Sequence, residues 1–118
     1  METRRSTRPL ERYDERYREL ARQLAHIGYI VPGSLAQRFT RCGRAICACS
    51  ADPPKLHGPY WHWSTKVNGK TVNRRLSEQE ATLYYEWIDN DRRAKALFAQ
   101  MRELAAKATE LILEEEPG

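Results

Sequence analysis

Residues 60–76 read YWHWSTKVNGKTVNRRL, two alternating segments joined by Asn68-Gly69. Both central positions of a two-residue hairpin loop take positive φ, and Asn-Gly is a preferred pair there, so the stretch reads as a β-hairpin. With Val67 and Lys70 flanking the turn, counting back gives the cross-strand partners. Thr65 faces Val72, Trp63 faces Arg74 and Trp61 faces Leu76 on one side. On the other, Lys66 faces Thr71, Ser64 faces Asn73 and His62 faces Arg75. The first side is largely apolar and the second wholly polar and basic. One face is expected to pack and the other to remain available for binding.

Working outward, Ser34 to Arg41 reads as a further strand entered through Pro32-Gly33, with Leu35 and Phe39 on one face and Gln37 interrupting it. On the other flank, Ser77-Glu78-Gln79-Glu80 has the spacing of a capping box and opens a long helix over 77–113. Trp87, Ala94, Met101 and Ala108 form one heptad series in it; Leu83, Leu97, Leu104 and Leu111 form the companion, and the helix has coiled-coil character. Asn90 falls in the second series, a polar break of the kind that fixes register. An earlier helix over 8–27 carries the stripe Leu10, Tyr13, Tyr17, Leu20, Leu24 and Ile27, at spacings of three and four. Thr7 is placed to cap its start, Pro9 suits its first turn, and Gly28 is expected in the left-handed position past its end. The fold class is therefore expected to be α+β: a small three-stranded antiparallel sheet with a zinc loop over 34–76, flanked by an N-terminal helix and a long C-terminal helix, in a single domain 1–118.

The loop between the first strand and the hairpin holds all three cysteines, spaced Cys42-x4-Cys47-x-Cys49-x7-His57. Pro53, Pro54, Gly58 and Pro59 give it loop composition, and it is too long to be ordered without something organising it. Zinc takes four tetrahedral ligands, and three thiolates with one imidazole are a common structural set. Cys42, Cys47, Cys49 and His57 are the expected ligands, with His62 and Asp52 as rivals for the fourth position. An iron–sulfur cluster normally takes four cysteines and fits less well. A closed structural zinc would leave no open position for catalysis.

One domain is the expectation for 118 residues, and 41% hydrophobic with 31% charged residues suits a soluble, folded chain. No apolar run is long enough for a membrane span, and Met1 to Arg8 lacks a secretory signal, so the expected location is the cytoplasm. In that reducing compartment clustered cysteines read as metal ligands before disulfides. The net charge of +4 is divided: nine Lys/Arg against five Asp/Glu over 1–41, six against one over 42–76, and five against ten over 77–118. A polyanion would meet the first two thirds of the chain.

Gly33-Ser34-Leu35, Arg41-Cys42-Gly43-Arg44, Cys47-Ala48-Cys49, His57-Gly58-Pro59-Tyr60-Trp61 and Lys66-Val67-Asn68-Gly69-Lys70 resemble a family of short bacterial proteins known only as a domain of unknown function. Its members are often associated with mobile genetic elements, and the resemblance brings no activity with it. The order of aromatic strand, glycine turn, basic strand and helix is also similar to the arm-type DNA-binding domains of tyrosine recombinases. The cysteine loop departs from that pattern, and no recombinase catalytic domain follows.

Nucleic-acid binding, to DNA before RNA, is the leading expectation, because a β-ribbon can enter a major groove and present side chains to base edges. The polar face would offer His62, Ser64, Lys66, Thr71, Asn73 and Arg75. Arg38, Arg41, Arg44, Lys55 and Lys70 would contact phosphates. Tyr60 is placed for base stacking, Trp61 and Trp63 belong to the core, and Arg74 is placed to stack on Trp63. The alternative is a protein-interaction or dimerisation module that uses the helical stripes, with the zinc hairpin as docking surface. No Gly-rich phosphate loop, carboxylate pair or Ser-His-Asp arrangement suggests an enzyme, a catalytic residue or a small-molecule substrate. His26 is expected to serve the end of the first helix.

Overall fold

The computed structural model describes residues 9–40 and 55–115. In chain order it contains α1 (Pro9–Ala25), β1 (Ser34–Thr40), β2 (His57–Val67), β3 (Lys70–Leu76) and α2 (Glu78–Glu115). The class is α+β, with a three-stranded antiparallel sheet in the order β1-β2-β3. Thr7, Arg41, Cys42, Arg44, Cys47, Cys49 and Asp52, and with them the cysteine loop, lie outside the described residues. The chain forms two compact units. One is built from Ile30–Asp89, the other from α1 with its exit to Tyr29 and from α2 onward from Asn90.

In the sheet unit the hairpin has the register the Asn-Gly turn dictates. Val67 pairs with Lys70, Thr65 with Val72, Trp63 with Arg74 and Trp61 with Leu76, and the polar pairs interleave as counted. Asn68 has φ 51° and Gly69 φ 81°, both positive as the turn requires. β1 lies antiparallel along β2, with Leu35 opposite Trp63, Gln37 opposite Trp61 and Arg38 opposite Tyr60. The register then shifts, so that Thr40 faces His57 and two residues of β2, Gly58 and Pro59, stand against Phe39 alone. That is a β-bulge, which bends the strand where the cysteine loop begins. Gly33 turns the chain into β1 at φ 108°, so close to β2 that an added Cβ would collide with the Ser64 carbonyl oxygen.

The apolar sheet face packs on the opening turns of α2. Leu76, Ala81 and Ile88 are buried. Trp63, Tyr84 and Trp87 form a chain of tilted rings with 5.3 Å between successive centroids, an arrangement favoured by aromatic quadrupoles. The Trp63 indole N–H donates to the Pro32 carbonyl at 2.8 Å, and the Val31 N–H donates to the Trp87 carbonyl at 3.1 Å. Arg74, opposite Trp63, donates to the Tyr84 hydroxyl at 3.5 Å. α2 begins with the expected reciprocal cap: Glu80 N–H donates to Ser77 Oγ at 3.1 Å, and Ser77 N–H to Glu80 Oε1 at 2.8 Å. That backbone bond holds the Glu80 carboxyl below its ordinary range, with smaller help from the Ser77 hydroxyl and Arg74.

In the helical unit the stripes pair within the chain. Leu20, at 1% exposure, is the most deeply buried large side chain among the described residues, and Ala94 and Leu97 are buried with it. Leu10 and Glu11 line one groove with Leu111 and Glu115; Gln23 and His26 line another with Arg93 and Leu97. The helices therefore run antiparallel. Met101, Leu104, Ala108 and Leu111 are half-buried, continuing the heptad inward stripe, but Leu83 stands 49% exposed. Asn90, only 5% exposed, donates from Nδ2 to the Tyr29 carbonyl at 2.8 Å. It ties down the exit of α1. Gly28 is not in the left-handed region; it lies where a Cβ would stand 3.4 Å from Asn90 Nδ2. The last turn of α1 closes by tighter bonds instead, from His26 N–H to Gln23 and from Ile27 N–H to Leu24. His26 Nδ1 is 2.7 Å from the Arg22 carbonyl, in keeping with a helix-end role. Arg18–Asp14 and Arg22–Glu19 pair along the exposed side of α1 and absorb much of its charge. Among the described residues no helix is long and apolar enough to cross a membrane.

Candidate functional site

Residues paired across an antiparallel ladder project to the same side, so the register assigns each residue of the sheet to a face. The face away from α2 carries four rows. Arg38 lies beside Tyr60; Ala36, His62 and Arg75 form the next row; Ser34, Ser64 and Asn73 the third; Lys66 and Thr71 the last, below the turn. Arg38, Lys66, Thr71, Asn73 and Arg75 are exposed, and Tyr60, His62 and Ser64 are half-buried. Lys70 pairs with Val67 and belongs to the opposite face at the hairpin tip. Lys55 precedes β2 and is exposed.

The charge of this region is one-sided. Over 30–40 and 55–76 the chain has Arg38, Lys55, Lys66, Lys70, Arg74 and Arg75 and no Asp or Glu. Glu78, Glu80, Glu86 and Asp89 all sit on α2, which packs against the other face. Strands that carry cations and no acid favour a positive potential of the kind that attracts polyanions, and the acid that comes near among the described residues is Glu78, which lines one cavity with Tyr60 and Arg75.

Several of these side chains are already engaged. The Arg75 guanidinium lies over the Tyr60 ring, 3.5 Å from its centroid. Tyr60 and Arg75 are diagonal neighbours in the register, within reach of long and aromatic side chains, so the contact was readable from the pairing. It was missed by weighing only direct partners. Ser64 Oγ donates to Asn73 Oδ1 at 2.5 Å. His62 Nε2 is buried and has no hydrogen-bond partner among the described residues. Arg74, expected over Trp63, bonds Tyr84.

Of the expected metal ligands the structure describes His57 and the rival His62. His57 opens β2 directly opposite Thr40, the last residue of β1. Cys42 follows Thr40 by two residues, so both ends of the cysteine stretch start from one paired position. Strand partners there lie about 5 Å apart between Cα atoms. His62 lies in mid-strand between Ala36 and Arg75, five residues from that end. The donor set of three thiols and an imidazole is chemically suited to zinc, and His57 is better placed than His62 to complete it.

No curated protein and no solved structure matches the chain. One family model does, that of a domain of unknown function, DUF6788, over residues 10–85. The matched stretch runs from the stripe of α1 through the whole sheet to the turns of α2 beneath it, well over half of the sequence, and the chain belongs to this family.

Proposed function

We propose that this protein is a non-catalytic nucleic-acid-binding accessory or regulatory protein that engages DNA with the polar face of its sheet. The observation that carries the reading is the distribution of charge in the sheet unit: cations on described strands that contain no acidic residue, with the acids of that unit's described residues on α2. Fluorescence anisotropy against a labelled random duplex, over a salt series, tests it. Binding is expected to weaken linearly in log–log salt and to fall on Lys66→Ala with Arg75→Ala. Absence of binding at low salt to duplex DNA, single-stranded DNA and RNA alike would defeat it.

The same reading includes a structural zinc held by Cys42, Cys47, Cys49 and His57, which would tie the end of β1 to the start of β2. Paired ends at Thr40 and His57 support it. Metal content of the purified protein should be near one zinc per chain and should drop in Cys47→Ser, with a lower melting temperature; unchanged content and stability would remove zinc from the account. The likeness to a bacterial, mobile-element-associated family makes a cytoplasmic partner of such an element the natural setting. A docking role for the helical stripes draws less support, because Leu20 of α1 and Ala94 and Leu97 of α2 are already buried within one chain.

A further inference from the structure

We infer that the sheet face is built for duplex DNA gripped by its phosphates at two separated places, with little reading of bases and no single-strand platform. The inference rests on the nucleic-acid reading above and specifies its ligand.

The cations on this face stand at its two ends. Lys66 lies next to the turn. Arg75 is opposite His62 and Arg38 opposite Tyr60, so these arginines are four and six residues of β2 away from Lys66. At about 3.3 Å per residue the two ends are roughly 13–20 Å apart. That span is comparable with a B-form major groove, about 12 Å wide, together with the phosphates on its rims. Between Arg38 and Lys66 the face has, besides Arg75, only Ser34, Ala36, His62, Ser64 and Asn73, none of them an acid, lysine or arginine. A single strand, with one phosphate chain, has no second row for the far end to hold.

The middle of the face is poorly equipped to read sequence. Asn recognises adenine by offering its amide oxygen and its amide nitrogen together. Here the Asn73 oxygen already accepts from Ser64. His62 has its Nε2 buried, out of reach of a base edge. One face of Tyr60, the aromatic side chain that would stack an unpaired base, is also covered by the Arg75 guanidinium. Stacking on single strands needs an open ring face. In that position Arg75 still presents its outer N–H groups for a phosphate.

The test is competition against one labelled mixed-sequence DNA duplex by its separated strands, by an RNA duplex of the same sequence and by duplexes of unrelated sequence, using the full chain. The DNA duplex should compete about ten-fold better than either strand. Unrelated duplexes should agree within about three-fold, since phosphate contacts carry no sequence information. The RNA duplex should compete poorly, its major groove being deep and narrow. Each of Lys66→Ala, Arg38→Ala and Arg75→Ala should reduce the salt slope by about 0.9, and Lys107→Ala, an exposed cation of α2, should leave it unchanged. Strands or RNA competing as well as the DNA duplex, or a salt slope indifferent to Lys66, would overturn the two-ended grip while leaving nucleic-acid binding intact. If no nucleic acid binds at all, the underlying reading fails first.

Discussion

Alanine at Gly33 should cost far more stability than alanine at Gly69, although both glycines sit at positive φ. At Gly69, φ is 81° and a new Cβ would meet nothing within 4 Å. The cost there is the left-handed backbone alone, about 1–2 kcal/mol for an L-residue. At Gly33 the same backbone cost applies at φ 108°, and three contacts add to it. The Cβ would overlap the Ser64 carbonyl oxygen, stand 2.7 Å from Trp63 Nε1 and stand 3.1 Å from Thr65 Cβ. Two of those are backbone or ring atoms of the central strand and cannot swing aside. Relief requires lifting the chain off β2, which breaks the bond from Trp63 Nε1 to the Pro32 carbonyl. Overpacking of this kind costs about 1–3 kcal/mol and the hydrogen bond about 1 more, so Gly33→Ala should lose about 3–6 kcal/mol in all.

Urea unfolding followed by tryptophan fluorescence measures both variants, with three tryptophans as probes. The comparison is valid while the slopes agree with the parent, so that midpoints alone report stability. Equal losses at the two positions would refute the argument, since the difference is assigned wholly to the close approach of the turn to β2.

Two further predictions concern the helices. Asn90→Leu supplies the residue a coiled-coil heptad wants, yet it should destabilise by about 1–3 kcal/mol, because it removes the bond to the Tyr29 carbonyl and crowds Gly28; a stabilised variant in the same urea assay would mean the bond to Tyr29 matters little. Ser77→Ala should cost about 1 kcal/mol at neutral pH through loss of the cap. Glu80 has a folded value below the ordinary 4.5, so its share of the cap is present above that pH and lost as pH falls through the folded value. The gap between parent and Ser77→Ala should therefore narrow in acid, and a constant gap would detach Glu80 from the box.

How much of this was legible in the sequence depended on how local the cause was. The hairpin register followed from one dipeptide, because the turn fixes the pairing and period-two alternation fixes the faces. By the same parity Lys70 belongs with Val67, Val72 and the tryptophans, although it was first counted among the phosphate contacts of the basic set. The capping box was equally local and appears bond for bond. Gly28 was read by a local rule, as a helix terminator, when its surroundings are set by Asn90, distant in sequence. The heptad count was carried one step too far at Leu83. There α2 faces a sheet, and the buried or half-buried positions are Ala81, Tyr84, Trp87 and Ile88, so position 83 points away. Nor does any sequence rule place the bulge at Gly58-Pro59, which sets where β1 ends against β2.

That bulge gives the candidate site its polarity. β1 stops at Thr40 and β2 starts at His57, paired, so residues 41–56 leave and return at the end of the sheet that carries Arg38 and the Tyr60–Arg75 contact. Lys55 precedes β2 at that end, whereas Lys66 stands at the other with Lys70 on the reverse face. Closing a loop of 16 residues costs about 2.5 kcal/mol plus a constant, and among the described residues the pairing that meets the cost is the short ladder of β1, an edge strand. The proposed zinc, bound just inside both ends, would carry part of it. Arg38 stands two residues before the end of β1, so a metal that holds β1 in place would also hold one end of the proposed phosphate grip. On the proposed reading, the cysteine loop and the basic face would be parts of one device, with the edge strand as the link between them.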